Sequence, residues 1–228
     1  MAGGKRDRET RPMSQQEKTD HRKARGALTR RALMQAAERL MATRGLGNVT
    51  IRQIVAAAKQ KNESALQYHF KSLQGLIDAI HEERSEQVRQ RRAEALAAVL
   101  ARESNPKLAT LATLMVDPTF RLAQENAGFR RYIKAFSLEL TLEEGSALSL
   151  VHRHGGGGEG GKVLGQRLRA ALAHLDEGRY RQRMEMAVVF CAAAMARHAR
   201  QPRAFQGPAA EAYLATLIES LTGLLSAP

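Results

Sequence analysis

Apolar residues in this chain recur every three to four positions, and this spacing constrains the fold more than any other feature of the sequence. The first such stripe comprises Leu33, Ala36, Ala37, Leu40 and Met41. Side chains with this period lie on one face of an α-helix. Runs of Val, Ile and Thr that alternate with polar residues, which would indicate half-buried strands, are missing. The sequence therefore predicts an all-α fold of about nine helices.

Helix-capping signals divide the first third of the chain into short helices. Gly45 is placed to end the first helix. Thr50 and Gln53 have the spacing of a capping box, which predicts the start of a second helix. Asn62 and Ser72 are placed to cap a third and a fourth helix. We expect a compact group of three helices followed by a longer one.

The pattern of polar and apolar residues predicts three regions. Residues 1–24 are polar and are expected to form a disordered basic tail. Residues 25–80 are expected to form a small helical domain, and residues 81–228 a larger helical body. The segment 81–92 is polar nearly all round, which favours a helix that bridges two bodies through solvent. Pro118 is expected to kink or end the helix that contains it.

The positive charge is concentrated at one end of the chain. The net charge of the chain is +13. Residues 1–72 contain sixteen Lys and Arg against six Asp and Glu. Such an excess favours a polyanionic partner, either nucleic acid or an anionic membrane. A solubilising tail would have the same composition, so charge alone leaves the alternatives open.

Several function classes find no support in the sequence. Cys191 is the single cysteine and lies in an apolar run, which favours a core residue over a nucleophile. No nucleophile–base pair or metal cluster is recognisable, so we expect no enzyme activity, no catalytic residue, no cofactor and no metal site. The N-terminus lacks the apolar segment of a signal peptide, and no run is long enough to span a membrane. A cytoplasmic protein is expected.

A glycine-rich segment at 155–161 has the spacing of a phosphate-binding loop. Gly156 and the pair Gly161-Lys162 match that motif, but Val163 replaces the Ser or Thr that would bind magnesium. We expect a flexible linker instead. The nearby His152 and His154 lack acidic or thiol partners, so a metal site there is the less favoured alternative.

The third helix has a polar stripe that is suited to nucleic acid. Ser64, Gln67, Tyr68 and Lys71 share one face, opposite the apolar Leu66 and Phe70. The stripe carries no acidic residue, and the turn before it is basic. Two short helices joined by such a turn are typical of a helix-turn-helix. A solvated helix face is the alternative that the pattern alone leaves open.

The segment from residue 28 to 80 resembles the DNA-binding domain of TetR-family regulators. The resemblance rests on the block 64–70, which reads Ser-Ala-Leu-Gln-Tyr-His-Phe, and on Gly75-Leu76-Ile77 after it. It implies phosphate contacts from Thr50, Tyr68, His69 and Lys71. It further implies base or backbone contacts from Arg52, Lys61, Asn62, Ser64 and Gln67. Asn62 could instead cap the third helix, and His69 could be a packed core residue. Lys59 stands where the family usually has glycine.

The family resemblance also implies a dimer, an operator and an effector. Its members bind double-stranded DNA as homodimers, and we expect a repressor that leaves a palindromic operator when a small molecule binds. The ligand-pocket candidates are Met115, Phe120, Phe129, Tyr132, Phe136 and Met184. The dimer-interface candidates are Ala187, Cys191, Ala194, Met195, Leu214, Leu217, Ile218, Leu221 and Leu225. Packing within the chain's own core is the alternative for both sets. If the second set forms the interface, Leu221→Arg should give a folded monomer.

Overall fold

The chain folds into α-helices. The computed structural model describes residues 15–139, 145–153 and 157–227, and these residues contain no strand. Their ten α-helices are α1 (Gln15–Arg44), α2 (Ile51–Ala57), α3 (Ser64–Phe70), α4 (Leu73–Leu100), α5 (Leu108–Glu125), α6 (Ala127–Phe136), α7 (Ala147–Arg153), α8 (Gly158–Ala171), α9 (Glu177–His198) and α10 (Gly207–Ser226). A short 3-10 helix, Leu46–Asn48, links α1 to α2. The all-α prediction is confirmed.

Side-chain caps fix the starts of the two helices that flank α3. The Thr50 hydroxyl accepts a hydrogen bond from the Gln53 amide, and the Gln53 side chain accepts one from the Thr50 amide. This reciprocal pair is the capping box that the sequence predicts. The Ser72 hydroxyl accepts from the amide of Gly75 at 3.0 Å and caps α4, also as predicted.

The first hydrophobic core unites α1, α2, α3 and the start of α4. Its buried side chains include Leu33, Ala37, Met41, Ile54, Val55, Leu66, Phe70, Leu76 and Ile80. Gly75 is needed where α4 begins, because a Cβ there would lie 2.1 Å from the Phe70 carbonyl oxygen. Phe136 at the end of α6 is buried in this same core. The larger C-terminal part of the chain is therefore anchored to the first core by an aromatic side chain.

The second core is built from α5, α6, α8, α9 and α10 together with the second half of α4. Its buried side chains include Leu96, Leu111, Phe120, Phe129, Ile133, Leu168, Leu175, Met184, Phe205, Leu214 and Leu221. Tyr132 packs against both cores. The two cores thus meet along α6 and the middle of α4.

Three local predictions are corrected by the structure. Residues 15–24 are the beginning of α1 rather than part of a disordered tail, because helix-favouring residues continue the helix outward from its packed part; residues 1–14 lie outside the described residues. Pro118 lies inside α5 and is buried there, so packing of the helix outweighs the hydrogen bond that proline removes. The segment 81–92 does not cross solvent, since His81 and Arg84 are buried.

Arg84 and Glu38 form a buried ion pair between α4 and α1. The Arg84 Nε donates to Glu38 Oε1 at 2.7 Å, and its Nη2 donates to Oε2 at 2.9 Å. The side chains are 9% and 2% exposed. Gln87 accepts from the third guanidinium nitrogen at 3.1 Å. This bidentate geometry satisfies both charges away from water and fixes the angle between α4 and the first core.

We predict that Glu38→Leu lowers the free energy of unfolding by about 3–5 kcal/mol, because it leaves the Arg84 guanidinium buried without its carboxylate. The double variant Glu38→Leu/Arg84→Met should recover most of this loss, since it buries no charge. Urea unfolding of the two variants and the wild type measures both values. Equal destabilisation in the single and double variants would contradict the role given to the pair.

Candidate nucleic-acid interface and ligand cavity

Helices α2 and α3 form a helix-turn-helix whose inner faces are buried. Ile54 and Val55 point into the first core from α2, and Leu66 and Phe70 do so from α3. The turn between the helices contains Lys59 at φ 55°, in the left-handed region. Lysine replaces glycine there and adopts the conformation that glycine would adopt more readily. The turn directs the outer face of α3 toward solvent.

The polar stripe of α3 is exposed along its whole length. Ser64, Gln67 and Lys71 are exposed, and Tyr68 is 74% exposed although it is aromatic. A tyrosine this exposed presents both its ring and its hydroxyl to a partner. The stripe can offer an amide and hydroxyls to base edges and a lysine to phosphate.

The remaining predicted DNA contacts surround this stripe. Thr50 and Arg52 at the start of α2 and Lys61 in the turn are exposed. Asn62 is exposed as well, but it does not cap α3 as the sequence favoured: α3 begins at Ser64, after Glu63, with no side-chain cap. Instead the Asn62 side chain accepts a hydrogen bond from the Ser64 hydroxyl. This hydrogen bond holds the Asn62 side chain beside the polar stripe of α3.

His69 is half-buried at the edge of this surface. Its ring packs edge-on against Tyr68, and burial, with a smaller effect of the Arg30 charge, lowers the pKa of the imidazole below its usual range. The lowered pKa favours the neutral ring, which can donate one N–H to a phosphate. His69 is thus neither fully exposed nor packed in the core, which was the alternative that the sequence left open.

A cavity of about 550 Å³ lies in the second core. Five of the six predicted pocket residues line it, namely Met115, Phe129, Tyr132, Phe136 and Met184. Phe120 does not. It is fully buried against Phe205 and His198, on a cluster that joins α5 to α9 and α10. The cavity has the size and the mainly apolar wall that small-molecule sites have.

Sequence reasoning missed the wall that α4 contributes. His81, Arg84, Ser85, Val88 and Arg92 all line the cavity. They fall at helical spacing on one face, so the signal was present. It was overlooked because a polar face usually lies in solvent.

The end of the cavity nearest the first core carries a chain of polar groups. His81 Nδ1 lies 3.0 Å from the Tyr132 hydroxyl, and His81 Nε2 lies 3.0 Å from Glu139 Oε2. Burial raises the pKa of Tyr132, so its hydroxyl stays protonated. These groups can hydrogen-bond to a ligand while the apolar walls exclude water.

The glycine-rich segment is part of this wall rather than a plain linker. Gly158 has φ 52° and begins α8, and a Cβ on it would lie 2.8 Å from Arg89 Cδ. Gly157, Gly158, Gly161 and Lys162 line the cavity, while the Lys162 ammonium reaches Glu159 at 3.5 Å. Glycine here lets α8 approach α4 closely. Residues 154–156, with His154, lie outside the described residues.

The predicted dimer residues belong mostly to the protomer interior. Ala187, Met195, Leu214, Leu217, Leu221 and Leu225 are buried, and Cys191, Ala194 and Ile218 are half-buried. The leucine stripe of α10 packs on α5 and α9, which explains its width without a partner. Cys191 lines the cavity, and burial raises the pKa of its thiol to about 12.

Metal-ligand clusters and membrane-spanning helices are both absent from the described part of the chain. Across residues 15–139, 145–153 and 157–227, no three His, Cys, Asp or Glu side chains come together as metal ligands. Over the same ranges, none of the helices combines the length and apolar character that a membrane crossing requires.

Comparison with known proteins finds a family model that matches the region of the helix-turn-helix. Residues 33–80 match the family model described as "Bacterial regulatory proteins, tetR family". Among solved structures, the chain resembles the crystal structure of RolR in complex with its ligand resorcinol. The two chains are 22% identical, the match covers 90% of this chain and 96% of that one, and the TM-score is 0.41. No curated protein matches the chain.

We predict that Gln67→Ala and Ser64→Ala change sequence preference more than overall affinity, because both side chains lie on the exposed stripe of α3. Each lost base contact should cost roughly 1–3 kcal/mol at one position of a half-site. Titration of matched and single-base-changed duplexes measures this cost. Glu103→Ala, an exposed change in the turn that follows α4, is the control. Equal losses on specific and random DNA would exclude base readout by these residues.

Proposed function

We propose that this chain, a DNA-binding transcriptional regulator of the TetR family, acts as a homodimeric repressor that a small-molecule effector releases from a palindromic operator. The observation that carries the proposal is the continuity between two sites. The buried side of α3 packs in the first core, where Phe136 is also buried. Phe136 lines the cavity as well, so one side chain joins the first core to the cavity.

Three contacts connect the cavity wall to the DNA-reading helices. His81 and Arg84 line the cavity from α4, and Arg84 holds Glu38 of α1 in the ion pair described above. Tyr132 reaches His81 from α6, while Phe136, one helical turn further on, is buried in the first core. A ligand that separates α6 from α4 would therefore move α1 and α3. Packed cores shift between discrete arrangements, so a small displacement at the cavity can change the position of α3.

The effector enters this proposal through differential binding. A ligand shifts an equilibrium only by the difference in its affinity for two states. The polar end formed by His81, Tyr132 and Glu139 lies at the junction of the two cores, where any change in their relative position changes the contacts offered to a ligand. The cavity is thus placed to favour one arrangement of the reading helices over another.

An exposed surface on α9 and α10 supports the dimer. On α9, Met186 is 56% exposed, and Val189, Phe190 and Ala193 lie half-buried on the same face. The neighbouring face of α10 carries the small residues Ala212, Ala215, Thr216 and Gly223 around Glu219, all exposed. An apolar stripe beside a small-residue stripe permits close packing of four helices across a two-fold axis. We propose this surface in place of the buried residues predicted from the sequence.

Selection of bound fragments from random DNA tests the proposal as a whole. Two reading heads related by a two-fold axis should recover an inverted repeat, with half-sites about one helical turn apart or a multiple of it. Recovery of a single unrepeated site, or of no preferred sequence, would reject a dimeric operator-binding regulator.

We predict that Met186→Arg gives a folded monomer with greatly weakened operator binding, because two arginines would meet across the symmetric interface. Leu221→Arg should instead unfold the protein, since Leu221 is 0% exposed within the protomer core. Sedimentation and circular dichroism on both variants distinguish these outcomes. A dimeric Met186→Arg protein would place the interface elsewhere.

A further inference from the structure

We propose that the outer part of α1, residues 15–31, is a helical arm that runs along the DNA backbone beside α3. The inference rests on the proposed function and adds a second DNA-binding element to it. At a rise of 1.5 Å per residue, seventeen residues extend over roughly 25 Å. The arm is long enough to follow the duplex well beyond the reach of α3.

The arm projects from the core, and none of its side chains that the structure describes is buried. The first buried residue of α1 is Leu33, at 0% exposed. Between residues 19 and 31 every side chain is exposed or half-buried, and Leu28 is 69% exposed. A helix with so little burial gains stability from a partner that covers it.

Two contacts fix the direction in which the arm leaves the core. A Cβ on Gly26 would lie 3.8 Å from His69 Cε1, so α1 passes directly beside the end of α3. The Arg30 guanidinium lies 5.3 Å from the centre of the Phe70 ring. The face that carries Gly26 and Arg30 therefore looks toward α3, and beyond the end of α3 it looks toward whatever α3 binds.

The face of the arm that looks toward α3 carries three cations and no acidic residue, while Arg25 and Arg31 lie on other faces. At 3.6 residues per turn, Arg22 and Lys23 lie on the face of Gly26 and Arg30, one turn further out. This is the face that, from Leu33 to Met41, packs into the first core. Asp20 lies off this face, and the opposite side of the helix carries Ala24, Leu28 and Arg31. The arm holds six Lys and Arg against two Asp and Glu.

DNA accounts for these observations better than solvent does. Arg22, Lys23 and Arg30 lie on the face that the arm shares with α3, so a duplex bound by α3 would meet these three cations. Phosphates beside the major groove would meet Arg22 and Lys23 just past His69, whose neutral ring lies at the same edge. Contacts of this kind strengthen binding to every sequence and add no base preference.

The test compares two variants of the full-length protein. Arg22→Ala/Lys23→Ala removes both cations from the inner face. The second variant adds Ala24→Lys and Leu28→Lys to these changes, which restores the net charge on the outer face. Alanine and lysine both favour helix, so α1 should persist, and circular dichroism checks this. Affinity for a random-sequence 30-base-pair duplex and for a duplex carrying the selected operator is measured by fluorescence anisotropy at rising KCl.

We expect the first variant to lower the slope of log K against log salt by about 1.8, at roughly 0.9 per lost phosphate contact. Affinity for both duplexes should fall by the same factor, and the charge-relocated variant should show the same loss. An unchanged salt slope in the first variant would overturn the proposed contact between the arm and DNA. Full recovery of DNA affinity in the charge-relocated variant would overturn it as well. If the wild type prefers no sequence, the result counts against the proposed function and not against the arm. The proposed contacts of the arm are to phosphates, which random DNA offers as well.

Discussion

Arg84 reaches from α4 to α1, where both oxygens of Glu38 accept its hydrogen bonds, and the arrangement of the two cores depends on that buried contact. Desolvating two charges is costly, and bidentate geometry offsets the cost only at one relative position of the two helices. The pair is therefore better suited to specifying a geometry than to adding stability. The polar cavity end formed by His81, Tyr132 and Glu139 lies along the same junction, so ligand recognition and domain orientation share one set of helices.

Local signals made the first core predictable from the sequence. Thr50, Gln53 and Ser72 form the caps that their spacing indicates, because a cap involves residues only three apart. The exposed stripe of α3 follows from the helical period once Leu66 and Phe70 are assigned to the inside. Asn62 was misplaced because an exposed turn offers several hydrogen-bond partners, and here Ser64 is the partner.

Tertiary packing explains what the sequence could not provide. An apolar stripe such as Leu214 to Leu225 shows that one face of α10 is covered, but it does not say whether the cover is the same chain or a second one. The structure buries that stripe in the protomer and leaves small residues outside. The α4 wall of the cavity was hidden for the opposite reason. In the sequence, His81 and Arg84 have the character of solvent-exposed residues. Their burial is possible because Glu38 pairs with Arg84, while Tyr132 and Glu139 contact His81, and all three partners are distant in the chain.

The separation of the two α3 helices on DNA tests the central claim most directly. A spin label on Glu63→Cys would lie just before α3, and Cys191→Ala removes the single native thiol. On the selected operator, pulsed dipolar spectroscopy should give one narrow distance near the roughly 34–36 Å between successive major grooves on one face of the duplex. Absence of an interprotomer distance, or a broad distribution on that operator, would contradict a dimer with two reading heads.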